Sequence, residues 1–181
     1  MFSWDMAVVV GVPGVGKTSL CKSAVEKIEC NYINYGDLML EISQDQQLAQ
    51  TEKEMFSLNM DLQYHIWKEA AHEISKKENV VVDLHGIDQS PKGYLISLPL
   101  EIIHPSLIII VESYPENILF RRKNDFSKER IKDNFKSLIE HMQLLRISMT
   151  VSSVFLGSTV YLIQNNDFKV SEKELIDLLS F

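Results

Sequence analysis

An apolar run, Met6-Ala7-Val8-Val9-Val10, leads without a break into Gly-Val-Pro-Gly-Val-Gly-Lys-Thr at Gly11–Thr18. No other feature restricts the fold so strongly. A buried strand that turns at glycines into a helix is the local architecture of a phosphate-binding loop. Three of the chain's seven glycines fall in this stretch, which lets backbone N–H groups turn inward around an oxyanion without Cβ clashes. The G-x-x-x-x-G-K-[ST] spacing divides the work. Loop amides take the β-phosphate, Lys17 brings charge to the β/γ oxygens, and the Thr18 hydroxyl meets Mg2+. The helix that follows directs its positive end at the same place. The stretch Gly11, Val12, Pro13, Gly14, Val15, Gly16, Lys17, Thr18 and Ser19 is therefore expected to hold a nucleoside triphosphate.

The rest of the chain supplies a sheet to carry this loop. Short bounded apolar runs predict strands at Met6–Val10, Tyr32–Asn34, Val80–Leu84, Leu107–Glu112 and Val160–Gln164. Helical patterns fill the intervals at Lys17–Glu29, Asp37–Ser43, Glu52–Lys77, Pro115–Lys123, Ile131–Leu156 and Ser171–Leu179. In the fifth of these, Phe135, Leu138, Ile139, Met142, Leu145, Met149 and Val151 recur at steps that suit one buried face. Alternating strands and helices imply an α/β fold with a parallel sheet covered on both sides. In such sheets ligands bind beyond the carboxyl ends of the strands, where the loop lies. With 181 residues the chain is expected to form one domain. Gly86–Pro99, with Pro91, Gly93 and Pro99, reads as an irregular loop.

Charge excludes some functions. A net charge of −7 argues against a naked nucleic-acid binder. Cys21 and Cys30, the only two cysteines, lack disulfide-framework or zinc spacing. No apolar segment is long enough to span a bilayer, so no membrane association is expected and a reducing cytoplasm is the simplest compartment.

A second tier of residues could complete the site. Asp83 ends a core strand, where a carboxylate could hold Mg2+ directly or through water, or could be a plain polar terminus. His85 points to the same side if the strand persists, touching a phosphate, orienting Asp83 or simply being hydrogen-bonded. The other histidines, His65, His72, His104 and His141, have no metal-ligand spacing. Arg121–Asp133 holds six basic and three acidic residues in thirteen. A flap with Arg121, Arg122, Lys128 and Arg130, and Arg146 on the next helix, could clamp a polyphosphate and expel water. A solvated charged loop is the competing reading. Asp83-Leu84-His85-Gly86 matches the short D-x-x-G of GTPase switches, but no N-K-x-D guanine reader follows.

The pieces Val8–Thr18, Ile33–Met39 (I-N-Y-G-D-L-M), Val80–His85 (V-V-V-D-L-H), Ser90–Pro99, Glu116–Arg122 and Leu156–Asn165 occur in one order across nearly the whole chain. As a set they resemble the archaeal-type adenylate kinases. The resemblance implies a P-loop kinase sandwich, with a five-stranded parallel sheet between helices, an NMP-binding helical lobe at 35–79 and a short lid at 121–133. It implies reversible transfer of the ATP γ-phosphoryl group to AMP, giving two ADP, with Mg2+. On the same footing, Gly14, Gly16, Lys17 and Thr18 hold the ATP phosphates, and Asp83 is the magnesium-side carboxylate. Tyr35, Gly36 and Asp37 begin the AMP side. Arg122, Arg130 and Arg146 clamp the transition state, and Asn165 lies where adenine is read. A homotrimer is implied as well.

Two departures stand out. The family's lid commonly carries two arginines followed by Asp, where this chain has Lys128 and Arg130 followed by Ile131; lysine lacks the planar fork. The arginine that bacterial relatives place after Gly-Asp is replaced in that region by Leu40, which leaves Lys92 as a candidate partner for the AMP phosphate. Tyr32–Leu38 and Val80–Gly86 also resemble a nuclear adenylate kinase group that doubles as a ribosome-assembly factor. An ATPase of that kind, or a kinase for another small acceptor, is the alternative.

Overall fold

The computed structural model describes residues 4–90, 93–124 and 134–180. A five-stranded sheet forms the centre, from β1 (Met6–Val10), β2 (Asn31–Asn34), β3 (Val80–Asp83), β6 (Leu107–Glu112) and β7 (Thr159–Gln164), in the order β2-β3-β1-β6-β7. All four pairings are parallel. The central strands β1, β3 and β6 are buried along their whole length, as strands covered on both faces must be. Valine and isoleucine fill them because β-branched side chains pack well on a pleated surface. Helices α1 (Lys17–Ile28), α5 (Pro115–Asn124), α6 (Phe135–Leu156) and α7 (Phe168–Leu179) accompany the sheet. Beyond β2 stand three further helices, α2 (Tyr35–Asp45), α3 (Glu52–Met55) and α4 (Met60–Ser75). They close on Met39, Met55 and Ile66 as a small helical lobe.

Four expectations need correction. The stretch 86–99 is not irregular throughout: β4 (Ile87–Ser90) pairs antiparallel with β5 (Gly93–Ile96). Glu52–Lys77 is two helices, because the Asn59 side chain accepts the Leu62 N–H and starts α4 afresh. Helix α6 begins at Phe135, where Asn134 and Ser137 form a reciprocal capping box. Its apolar residues do not share one buried face. Leu138, Leu145 and Met149 are buried, whereas Phe135 and Val151 are exposed.

The site-bearing turns have local causes. Gly86 adopts φ +84°, and a Cβ there would stand 2.9 Å from Leu145 and 3.0 Å from Val10. Only glycine lets the chain leave β3 so close to β1. Gly11 N–H donates to the His85 carbonyl at 3.3 Å, tying the start of the phosphate loop to that turn.

Candidate active site

Three neighbouring strands deliver their carboxyl ends to one place. β1 runs into the phosphate loop, β3 ends on Asp83 and β6 ends on Glu112. At the loop's end Gly16 takes φ +93°, and no side chain caps helix α1. The positive end of the helix is thus left for a ligand. The left-handed glycine is enforced sterically as well, since a Cβ at Gly16 would lie 2.5 Å from the Asn165 side-chain nitrogen.

Asp83 is the electrostatic centre. It is 1% exposed, and Lys17 Nζ lies 2.5 Å from its Oδ1. Thr18 Oγ1 donates to its Oδ2 at 2.6 Å, Asn34 Nδ2 at 3.0 Å and the Tyr32 hydroxyl at 3.1 Å. Burial pushes the Asp83 carboxyl upward, but the Lys17 charge and the donors from Lys17, Thr18 and Tyr32 outweigh it and hold it below its ordinary value. Burial and then the Asp83 charge raise the Tyr32 phenol, so it remains a protonated donor. These oxygens suit a hard divalent cation, and the Lys17 ammonium already places positive charge against the carboxylate. Among the described residues no group of three or more His, Cys, Asp or Glu could form an all-protein cage. A cation here would be held by Thr18, Asp83 and the substrate's own phosphates.

Further side chains hold the loop by its carbonyls. Arg121 donates to the Val15 carbonyl at 2.8 Å and to the Asn165 carbonyl at 3.1 Å. Arg122 Nε donates to the Pro13 carbonyl at 2.7 Å. Asn165 Nδ2 donates to the Val15 carbonyl at 2.8 Å. With its carbonyls gripped, the loop has its amides fixed before any ligand arrives. Arg121 and Arg122 lie in the last turn of α5; the remainder of the expected flap, 125–133, lies outside the described residues. Asn165 is 2% exposed, so in this conformation it braces the loop rather than presenting itself to a base.

Other expected residues sit as follows. Val12 and Val15 are buried loop anchors, and Ser19 is exposed on α1. Tyr35 is buried, and its hydroxyl donates to the Trp67 carbonyl at 2.6 Å, stapling α2 to α4. Gly36 and Asp37 form the first turn of α2, and Asp37 is exposed. β3 stops at Asp83, so strand alternation does not set the direction of His85. Its Nδ1 lies 2.7 Å from Asp88 Oδ1. Burial raises the Asp88 carboxyl, but the His85 contact prevails and lowers it. Arg146 forms a two-pronged ion pair with buried Glu112, which also accepts from Gln164 at 2.9 Å. As a clamp Arg146 would first have to leave Glu112. Lys92, Lys128 and Arg130 lie outside the described residues. Tyr32, Asn34 and Glu112 were not singled out from the sequence.

A family model described as an AAA domain matches residues 10–139. A protein named adenylate kinase homolog from Methanothermobacter thermautotrophicus is 49% identical over 94% of this chain and 88% of its own length. Adenylate kinase from Thermoplasma acidophilum is 37% identical, over 90% of this chain and 91% of its own. The chain belongs to the adenylate kinase family. Among solved structures, shikimate kinase from Acinetobacter baumannii superposes with a TM-score of 0.66 at 15% identity, over 98% of this chain and 94% of that one. Shikimate kinase from Bacteroides thetaiotaomicron gives 0.64 at 17%, over 99% of this chain and 100% of that one. At such identity the likeness concerns the P-loop kinase fold alone. As a member of the adenylate kinase family, the chain has its phosphate loop, Asp83 and the base of the helical lobe within one connected hydrogen-bond network.

Proposed function

We propose that the chain is an ATP:AMP phosphotransferase in which Lys17, Thr18 and Asp83 serve the ATP side and the α2–α4 lobe, residues 35–79, receives AMP. The observation that carries this reading is the buried Asp83 carboxylate, paired to Lys17 and Thr18 at the mouth of the loop, in a chain of this family. Phosphoryl transfer asks little covalent work of the protein, so positioning and charge supply the rate. Amides of Gly14, Gly16, Lys17 and Thr18 take the polyphosphate, and Lys17 turns from Asp83 to the phosphate oxygens. Mg2+, when bound with ATP through Thr18 and Asp83, neutralises charge on the β- and γ-oxygens. Arg122, already at the loop, and Arg130 and Arg146 from the segment that follows would complete the clamp. Lys92, His85 and the 35–37 turn are offered to AMP, and Asn165 backs the adenine end of the ATP site. Residues 121–133 act as the lid. A general base is unnecessary, because the acceptor is itself a phosphate.

The test is a coupled assay with ATP and Mg2+ across AMP, CMP, UMP and GMP. ADP formation with AMP at about 1–1,000 per second, the usual enzyme range, is the expected outcome. Negligible rates with AMP beside turnover on a non-nucleotide acceptor, or ATP hydrolysis that responds to ribosomal particles, would refute it.

A homo-oligomer, trimeric by family likeness, is proposed as the working form. It is supported by an apolar stripe on α6, where Ile147, Val151, Val154 and Phe155 are 60%, 51%, 78% and 80% exposed. Their spacing places them on one helix face. Edge strand β7 adds exposed Leu162, on the same strand face as Gln164, whose partner Glu112 is held by Arg146 of α6. Phe155→Glu is expected to convert an assembly into a 20.8 kDa monomer in light scattering; a monomeric parent would refute the interface. No helix among the described residues is long and apolar enough to cross a membrane. Free Cys21 and Cys30 accord with the proposed reducing cytoplasm.

A further inference from the structure

Asp83 has more partners than the phosphate loop can supply. Lys17 and Thr18 reach it from the loop side, Tyr32 and Asn34 from β2. The two sets differ in what a nucleotide does to them. Lys17 and Thr18 are the groups that polyphosphate and cation draw away, whereas Tyr32 and Asn34 stand on β2, outside the phosphate loop. Their convergence follows from register. Asn34 is the Cα partner of Asp83 across β2 and β3, and Tyr32 lies two residues earlier on the same face.

Asn34 carries a second bond. Its Oδ1 accepts the Asp37 N–H at 3.1 Å and caps α2, the first helix of the acceptor lobe. Nitrogen and oxygen belong to one planar carboxamide, so one end cannot reorient without moving the other. When Lys17 and Thr18 turn to the polyphosphate and the cation, Asp83 keeps Tyr32 and Asn34 as its hydrogen-bond donors from β2, and any shift of the carboxylate passes through the Asn34 amide to the bond at its opposite end.

We propose that Asn34 is a positioning residue that joins the metal-side carboxylate to the first turn of α2, so that Mg·ATP loading is transmitted to the acceptor lobe through a single side chain. The assignment of ATP to the Asp83 side and AMP to the lobe rests on the function proposed above. A plain helix cap is the competing role. Serine separates the two, because it caps as well as asparagine but its shorter side chain has one oxygen, which at the cap takes the place of Oδ1 and leaves the place of Nδ2 beside Asp83 empty.

The test is amide hydrogen exchange over residues 35–40, without AMP, before and after addition of Mg2+ and a non-hydrolysable ATP analogue. In the parent, nucleotide is expected to slow exchange there by ~5-fold or more, the lower end of ordinary site-to-site coupling. Asn34→Ser should keep the resting exchange rate and lose the nucleotide response. Asn34→Asp keeps the cap, sets a carboxylate against Asp83 and should lose the response as well. Tyr32→Phe, which removes a donor from Asp83 but leaves the amide in place, should retain it. An undiminished response in Asn34→Ser, or none in the parent, overturns the proposal; if the serine variant does not fold, Asn34→Asp and the parent decide by the same criteria. Calorimetry of AMP with and without the analogue reads the coupling directly. A parent that binds no AMP would undo the proposed function, while the exchange result, obtained without AMP, would still judge Asn34.

Discussion

Replacing Lys17 by alanine is expected to lower ATP:AMP phosphotransfer by ~10²–10³-fold, the usual cost of removing one group that stabilises transition-state charge. The chain should keep its secondary structure by circular dichroism but unfold more easily. Lys17 is the ion-pair partner of a carboxylate that is 1% exposed, and taking one partner from a buried pair costs about 3–5 kcal/mol. The pH dependence has a definite sign. In the parent the folded Asp83 lies below its ordinary value of 3.8. Its contribution is therefore present above that value and is lost as pH falls through the folded one. The variant lacks most of this contribution, so its deficit in melting temperature should hold from neutrality down to about 4 and shrink as pH falls below that. Adding Asp83→Asn to Lys17→Ala should recover stability without recovering turnover. If both return together, or neither does, the Lys17–Asp83 pair has been misread.

Arg122→Lys is the second large effect. The Arg122 guanidinium donates from Nε to the Pro13 carbonyl at 2.7 Å, so its fork is held against the phosphate loop. Lysine keeps the charge but has neither the plane nor the paired donors. A group that acts mainly on the migrating phosphoryl loses kcat rather than ground-state binding. We expect kcat to fall by ~10²-fold or more, with a much smaller change in the KM for ATP. A rise in KM at unchanged kcat would instead make Arg122 a support for the loop, as Arg121 is through Val15.

Elements with a strong apolar signature were legible in the sequence. Residues Leu107–Glu112 read as a strand to the residue, because an unbroken β-branched run bounded by polar residues has few alternatives. The hairpin at Ile87–Ile96 was not, because its faces are largely solvated and Gln89, Ser90 and Gly93 carry turn chemistry instead of alternation. The break before α4 had a signal in Asn59, but apolar periodicity continuing on both sides of it masked the cap. At the site, the meeting of Lys17, Thr18 and Asp83 was legible because motif spacing and strand position bring them to one end of the sheet. Tyr32 and Asn34 were not. Their meaning depends on the pairing of Asn34 with Asp83, and register between strands separated by three helices is written nowhere in the local sequence. Asn165 and Arg121 were placed near the loop by sequence, but that they brace its carbonyls is a tertiary fact.

The sheet order has a consequence for how such a chain can be changed. The loop grows from the middle strand, walled by β3 and β6, where any altered side chain disturbs a close-packed interior. The helical lobe hangs from β2, an outermost strand whose residues are half-buried or exposed. Apart from Tyr32 and Asn34, substitutions at that margin are expected to cost less stability than substitutions around the loop. On the function proposed above, an altered acceptor preference would therefore be easier to engineer than an altered phosphate donor.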